Sequence, residues 1–378
     1  MHIAQVAPLT EAIPPKLYGG TERVVSWLTE ELIALGHEVT LFASGDSVTS
    51  AKLEALWPRA VRLDGAVRDP YALNFVMLER VFRRASDFDV LHFHLDYYSF
   101  SLFTRQPTPF VTTLHGRLDL PELQPVLEAF SSSAPVVSIS NSQRRPVRRA
   151  RWVATIHHGV PERLLTPQPI KPSYFAFLGR IAPEKGVDRA IHIAQHCGMP
   201  LKIAAKVDKV DREYFNEQIH PLIKSAANVE YIGEISDKDK SAFLSGAVVL
   251  LVPIDWPEPF GLVMIEAMAC GTPVIAFNRG SASEVVEDGL TGFVVEDENG
   301  AIGAADRLGQ LSRQRIRKEF ERRFTARRMA QDYLSVYRSL SGVEAPQLRL
   351  VSEDAKAGFP GTSEDSVLRP AIGSTPSG

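Results

Sequence analysis

Short apolar segments alternate with amphipathic segments along most of the chain. The apolar segments have the length and composition of strands buried on both faces of a parallel sheet, and the segments between them have the spacing of helices. The pattern therefore predicts an α/β fold with helices on both faces of parallel sheets. The predicted strands are 3–7, 39–42, 90–93, 110–113, 136–139, 154–156, 174–178, 201–205, 229–232, 248–252, 274–276 and 292–295.

The alternation is interrupted by a segment with four prolines between residues 161 and 172. Such segments are typical of linkers, so we predict a first domain over 1–165 and a second domain over 166–325. A helix is predicted over 326–341. The segment 342–378 is rich in Ser, Gly, Pro, Asp and Glu and has no hydrophobic periodicity, so we predict that it is disordered.

The composition argues against several classes of protein. The chain has 378 residues, 44% of them hydrophobic, which is ordinary for a globular protein. A formal net charge of −3 argues against nucleic-acid binding, and two cysteines cannot form a disulfide framework. The longest apolar run, 247–254, is too short to span a bilayer, and the N-terminus passes directly into a strand. We therefore predict a cytoplasmic protein.

Two glutamates flank a predicted helix start in the segment 256–267. Glu258 lies in a loop bounded by prolines, and Glu266 lies on the second turn of a helix that begins near Leu262. Helical rise places Glu266 about 7.5 Å beyond Gly261. Ionised carboxylates only accept hydrogen bonds, so both suit the hydroxyl groups of a sugar. The alternative is a solvated loop residue and a snorkelling helix residue, but a nearly buried glutamate is rare unless it has a partner.

The start of this helix is a predicted anion site. The first N–H groups of a helix have no partner within the helix and lie at its positive end. The backbone of Phe260, Gly261 and Leu262 is therefore predicted to bind a phosphate group, because glycine lets an anion approach closely. The whole segment predicts a ligand with hydroxyl groups on both sides of a phosphate.

A second segment supplies positive charge. Arg180 and Lys185 lie in a loop, 179–188, that follows a predicted strand and leads into a helix. Loops at the carboxyl ends of strands are the usual ligand sites of open α/β sheets. An arginine fork and a lysine point charge both suit a diphosphate. As ordinary surface cations they would instead pair with Glu184, but their position after a strand and between two glycines favours the ligand.

The first domain contributes two further candidates. Gly19 and Gly20 precede a helix predicted over 21–35, so their N–H groups could face the phosphates across a cleft; the alternative is a simple turn. The adjacent glycines do not form the G-x-G-x-x-G dinucleotide fingerprint. His115 follows the strand 110–113 and is predicted to project into the cleft, although an isolated histidine is more often structural.

Together these motifs resemble those of the family-4 retaining glycosyltransferases. These enzymes have the GT-B fold, in which two facing Rossmann-like domains bind a nucleotide-sugar donor between them. The resemblance covers about residues 1–340 and rests on the segments 18–22, 113–116, 179–186, 232–234, 258–266 and 279–286.

The resemblance implies an acceptor on the first domain, a donor on the second, and a last helix that crosses back to the first. It adds Ile232 and Gly233 to the donor-binding residues and places Glu266 on the ribose and Glu258 on the sugar. His115 would contact the sugar or the acceptor. The expected reaction moves a hexosyl group, with retention, from a nucleotide sugar to a glycan, lipid-linked or small-molecule acceptor, with a UDP-sugar favoured.

The family also implies a mechanism without a protein nucleophile, in which the leaving phosphate accepts the proton of the acceptor. No Asp-x-Asp metal motif is recognised beside the predicted phosphate site, so we expect neither a metal nor another cofactor. A nucleotide-sugar epimerase and a non-catalytic sugar-nucleotide sensor are the alternative functions, because fold alone does not decide between them.

One basic segment is a candidate membrane contact. It carries no acidic residue between its arginines and could meet anionic lipid head groups at the inner face of the membrane. Like-charge runs are usually solvated surface, which is the alternative. The arginines are Arg144, Arg145, Arg148, Arg149 and Arg151.

Overall fold

A computed structural model of the chain describes residues 1–16 and 19–342. Within these residues the strands form two sheets, and every pairing between neighbouring strands is parallel. The strands are β1 (His2–Val6), β2 (Glu38–Ala43), β3 (Lys52–Ala55), β4 (Val90–Phe93), β5 (Phe110–Leu114), β6 (Pro135–Ser138), β7 (Arg151–Thr155), β8 (Tyr174–Arg180), β9 (Leu201–Lys206), β10 (Val229–Gly233), β11 (Ala247–Val252), β12 (Val274–Phe277) and β13 (Gly292–Val295).

Most of the helices lie between successive strands, and the last three of the described helices follow the last strand. The α-helices are α1 (Gly20–Ala34), α2 (Pro70–Arg83), α3 (Phe100–Phe103), α4 (Leu123–Ala129), α5 (Asn141–Arg144), α6 (Val187–His196), α7 (Arg212–Tyr214), α8 (His220–Ser225), α9 (Asp237–Ser245), α10 (Leu262–Ala269), α11 (Ala282–Val285), α12 (Glu298–Ala305), α13 (Arg313–Arg323) and α14 (Ala326–Ser341). A π-helical turn at Phe215–Ile219 joins α7 to α8, and 3₁₀ turns lie at Val61–Leu63, Ala85–Asp87, Pro183–Lys185, Lys209–Asp211 and Leu308–Gln310.

Both sheets have the order of a doubly wound fold. The first runs β3-β2-β1-β4-β5-β6-β7 and the second runs β10-β9-β8-β11-β12-β13. The order reverses beside β1 in the first sheet and beside β8 in the second, and the carboxyl ends of strands at such points are where ligands bind. The predicted α/β fold with two Rossmann-like sheets is confirmed. The sequence did not predict β3, an edge strand with both of its end residues exposed.

The chain passes from one sheet to the other at two places, and backbone hydrogen bonds join these two places. The Val160 N–H donates to the Phe324 carbonyl at 2.9 Å, and the Ala326 N–H donates to the Val160 carbonyl at 2.9 Å. Helix α14 then packs on α1 and β4, on the side of the first sheet. The domain limits 1–165 and 166–325 stay predictions, and the predicted disordered tail, from residue 343 onward, lies outside the described residues.

The hydrophobic core has three main layers. One cluster joins the two sheets through α1, α10 and α14, and it includes Leu28, Phe260, Met264 and Tyr333. The outer face of the second sheet packs on α6 and α12, and the outer face of the first packs on α2. The shared layer places the N-termini of α1 and α10 close together.

Candidate active site

A cavity of about 320 Å³ lies between the carboxyl ends of the two sheets. This volume is within the usual range of small-molecule sites. Side chains and backbone from both sheets form its wall. Among the residues predicted from the sequence, the wall contains Gly19, Gly20, His115, Arg180, Lys185, Glu258, Phe260, Gly261, Leu262 and Glu266.

The two predicted phosphate-binding cations lie in this wall, and carboxylates hold both of them. Arg180 ends β8 and donates to Glu184 Oε1 at 2.6 Å and to Asp211 Oδ2 at 2.9 Å. Lys185 ends a 3₁₀ turn and forms a short ion pair with Glu258. The pairing with Glu184 that the alternative interpretation expected is present for Arg180 and absent for Lys185, and both residues nevertheless line the cavity.

The loop that carries Glu258 is fixed by contacts from 279–286. Gly280 has a φ of +59°, and a Cβ atom there would lie only 2.2 Å from the Glu258 carbonyl oxygen. The next residue, Ser281, donates its N–H to that oxygen at 3.0 Å. Trp256 Nε1 donates to Glu258 Oε2 at 2.9 Å. A glycine in left-handed conformation is thus required for the close packing that positions Glu258.

A row of alternating charges links Glu266 to the first domain. Lys240 Nζ donates to Glu266 Oε1 at 2.7 Å and lies 3.3 Å from Asp237 Oδ1, and Asp237 also forms a short ion pair with Arg23 of α1. The side chains of Lys240 and Glu266 are only 10% and 5% exposed. Although burial acts in the opposite direction, the charges of Lys240 and Arg23 lower the pKa of the Asp237 carboxyl.

Two helix N-termini face each other across the cavity. Helix α10 begins at Leu262, directly after Gly261, whose φ is +77°. Helix α1 begins at Gly20, one residue before the predicted start, and a Cβ atom at Gly20 would lie 3.8 Å from Leu262 Cδ1. The positive ends of both helices therefore meet in the space where a phosphate group is predicted.

His115, a half-buried residue, lies against three buried histidines, His92, His94 and His158, and the four are here called the histidine cluster. His94 Nδ1 lies 2.9 Å from His115 Nε2, and the rings of His115 and His158 are stacked with their centroids 5.3 Å apart. Burial lowers the pKa of His115 to about 3 and holds the pKa of the other three well below its usual range. All four rings are therefore neutral at physiological pH.

Two of the predicted donor-binding residues are not in the cavity wall. Ile232 and Gly233 end β10, and the residues that follow them, Glu234 and Ile235, line the cavity instead. Their predicted role is therefore untested by this geometry. The sequence reasoning also missed Arg23, Lys240 and His158, which do line it, and Asp211 and Asp237, which pair with lining residues. Of these residues, only Lys240 could have been recognised from the sequence, because it is a cation at a core-facing position of α9.

Contrary to the sequence-based expectation, an Asp-x-Asp sequence occurs near the cavity, at Asp237–Asp239 at the start of α9. Asp237 pairs with two cations, and Asp239 accepts a hydrogen bond from Ser236 at 2.6 Å. Across residues 1–16 and 19–342, no group of three or more His, Cys, Asp or Glu side chains is arranged to hold a metal ion. Metal independence stays a prediction.

The predicted membrane segment is only partly free of partners. Arg149 pairs with Glu128 at 2.5 Å, and Arg144 stacks on the Trp152 ring at 5.1 Å. All of the segment's arginines except Arg144 are exposed. Among the described helices, none has the length and apolar character needed to cross a bilayer. The contact with lipid head groups stays a prediction.

The two Rossmann-like sheets, with a cleft between their carboxyl ends, define the GT-B class of fold. Sequence comparison agrees with this class. The family described as "Glycosyl transferases group 1" matches residues 166–327, and the family described as "Glycosyltransferase Family 4" matches residues 18–166. The chain belongs to glycosyltransferase family 4.

Individual relatives resemble the chain over most of its length. A glycogen synthase of Mycobacterium tuberculosis is 25% identical over 89% of this chain and 95% of its own. A phosphatidyl-myo-inositol mannosyltransferase of Mycolicibacterium smegmatis is 27% identical over 90% of this chain and 95% of its own. The structure of Anabaena HepE in complex with UDP and glucose covers 90% of this chain and 100% of its own, with a TM-score of 0.69 and 18% identity.

Proposed function

We propose that this glycosyltransferase transfers a hexosyl group from a nucleotide sugar, with retention of configuration at the anomeric carbon and without a metal ion. The observation that carries the proposal is the composition of one cavity wall. Arg180, Lys185, Glu258, Glu266 and the N-termini of α1 and α10 all line this one cavity. These groups match the two hydroxyl-bearing ends and the anionic middle of a nucleotide sugar.

The main catalytic effect would be electrostatic. As the bond between the anomeric carbon and the phosphate oxygen breaks, negative charge grows on the leaving nucleoside diphosphate. Arg180, Lys185 and the two helix N-termini would stabilise that charge in a site already shaped for it. The acceptor oxygen would bond to the same face of the anomeric carbon, and its proton would pass to the leaving phosphate oxygen. This step requires no protein nucleophile.

A UDP-sugar is the donor to test first, since HepE binds UDP and glucose in the same fold. The names of the relatives suggest two candidate acceptors, glycogen from the glycogen synthase and phosphatidyl-myo-inositol from the mannosyltransferase. Lipid would also suit the exposed arginines of the basic segment.

A thermal-shift panel of UDP-, GDP- and ADP-sugars, with NAD as a control, tests the donor. Ligand at 100 times its dissociation constant stabilises the folded state by about 2.7 kcal/mol. A shift with one nucleotide-sugar series identifies the donor, and a panel without any shift contradicts the proposal.

The reaction is then followed by NMR with that donor and candidate acceptors. A product with the donor's anomeric configuration, formed equally well in excess EDTA, supports a metal-independent retaining transferase. An isomerised nucleotide sugar without an acceptor identifies an epimerase, and binding without turnover identifies a sensor.

A further inference from the structure

A chain of buried hydrogen bonds runs from His115 to the last helix. His94 Nδ1 lies 2.9 Å from His115 Nε2, and His94 Nε2 lies 2.8 Å from Gln5 Oε1. Gln5 Nε2 in turn donates to the Tyr337 hydroxyl of α14 at 3.1 Å. Gln5 and Tyr337 are completely buried and His94 is 3% exposed. The catalytic scheme above uses none of these three side chains.

The donor and acceptor in each bond follow from chemistry. The Gln5 carbonyl oxygen can only accept, so the proton of His94 lies on Nε2. A neutral imidazole carries one proton, so His94 Nδ1 is an acceptor, and His115 Nε2 must donate to it. Because burial also keeps His115 neutral, its Nδ1 carries no proton.

We propose that Gln5 and His94 fix His115 in the tautomer with its proton on Nε2, so that the sugar contact that the family resemblance implies for His115 would be made by an unprotonated Nδ1 that accepts a hydrogen bond. Gln5 and His94 are then positioning residues. The contact with the sugar rests on the proposed function, whereas the tautomer does not.

Two observations connect this nitrogen with a ligand. His115 Nδ1 is buried and has no hydrogen-bond partner among the described residues, and such a group is costly unless a ligand satisfies it. His115 also lines the cavity that contains Glu258. Its ring stacks on His158, whose ring lies 4.9 Å from that of Phe260, two residues from Glu258.

The tautomer can be measured directly in the full-length protein. Long-range ¹H–¹⁵N NMR of ¹⁵N-histidine-labelled enzyme distinguishes protonated from unprotonated ring nitrogens, and His115→Gln assigns the signals. We expect His115 and His94 to show a protonated Nε2 and an unprotonated Nδ1 without any ligand. Protonation of His115 on Nδ1 overturns the proposal. This result does not depend on activity, so it stands or fails separately from the transferase assignment.

Variants of Gln5 test whether the Gln5 side chain fixes the tautomer of His115. Gln5→Met removes the acceptor for His94, and we expect mixed tautomers of His115 and a roughly two- to tenfold lower kcat, with the affinity for the free nucleotide unchanged. Gln5→Glu should restore the wild-type signals, because a buried, protonated carboxyl group can still accept from His94 and donate to Tyr337. Unchanged tautomers in Gln5→Met would remove Gln5 from this role. If Gln5→Met does not fold, the wild-type spectrum still decides.

The matched control is Tyr333→Phe. Tyr333 lies one turn from Tyr337 on α14, and its hydroxyl bonds to Thr113 at 2.9 Å instead of to Gln5. This variant should keep the His115 tautomer. The sugar contact is tested by adding either the nucleotide sugar that stabilises the protein or its free nucleotide. A change of the His115 Nδ1 shift with the sugar alone supports the contact, and the same response to both ligands contradicts it.

Discussion

Lys240→Met should destabilise the protein strongly by leaving a buried carboxylate without its partner. Lys240 Nζ donates to Glu266 Oε1 at 2.7 Å, and both side chains are at least nine-tenths buried. Breaking a buried ion pair by removing one partner costs about 3–5 kcal/mol. For a domain of this size, each kcal/mol shifts the unfolding midpoint by about 2–4 °C, so we expect a fall of at least about 6 °C.

Urea unfolding followed by circular dichroism measures this cost, with Lys238→Met as the control. Lys238 lies on the same helix, is exposed, and should tolerate the change. The double variant Lys240→Met/Glu266→Met removes both charges and should recover most of the lost stability, because a buried ion pair contributes little beyond an apolar pair.

The double variant should still lose the thermal shift given by the nucleotide sugar, since Glu266 is the predicted ribose ligand. Two results would refute the reasoning about charge. One is a Lys240→Met protein as stable as Lys238→Met. The other is a double variant no more stable than Lys240→Met alone.

Three further predictions concern other parts of the cleft. Lys185→Ala and Glu258→Ala should each lower the rate of transfer at least about a hundredfold with an unchanged circular dichroism spectrum, and wild-type rates would remove that residue from the site. The histidine cluster is neutral in the folded protein, but its rings titrate near pH 6.5 in the unfolded chain. As the pH decreases below 6.5, the free energy of unfolding should therefore decrease by up to about 1.4 kcal/mol per pH unit for each ring. Urea titrations that give the same free energy of unfolding at pH 7.5 and pH 5.5 would contradict this. Glu284 accepts N–H bonds from α5 across the cleft, and although burial acts in the opposite direction, His157 and these bonds lower the pKa of its carboxyl. The stability advantage of wild type over Glu284→Gln should therefore be full at neutral pH and shrink as the pH falls below about 4.5, and an advantage that is the same at pH 7 and pH 3 would refute this.

The features that sequence analysis predicted are those that local patterns determine. Lys185 lies in the turn between a strand and a helix, Glu258 lies in a loop between another strand and helix, and Gly261 directly precedes that second helix. The surrounding apolar periodicity is enough to place all three there. Arg180 was expected in a loop but ends β8, because the strand continues for two residues beyond the apolar run. The cleft position of all four follows from the topology of a doubly wound sheet.

The features that sequence analysis missed are pairs between residues far apart in the chain. Lys240 and Glu266 are 26 positions apart, and Arg23 and Asp237 are 214 positions apart. Gln5 and Tyr337, at opposite ends of the chain, are 332 positions apart. No local pattern in the sequence indicates such a pairing, since it forms only when α1, α9 and α14 pack around the cleft.

The ion pair between Lys185 and Glu258 gives the cleft a property that neither residue has alone. Lys185 is the candidate ligand of the diphosphate and Glu258 that of the sugar, yet in this structure each satisfies the other. A diphosphate that attracts Lys185 would release Glu258, because the lysine cannot keep both contacts at full strength. The released carboxylate would then accept hydrogen bonds from the sugar hydroxyls instead of remaining unpaired. A free nucleoside diphosphate would separate the same ion pair without providing those hydroxyls. The sugar should therefore increase the affinity by more than it would if Glu258 were already unpaired before binding. Lys185→Met should weaken that coupling, and the difference in affinity between the nucleotide sugar and its free nucleotide, measured calorimetrically in wild type and variant, reports it directly.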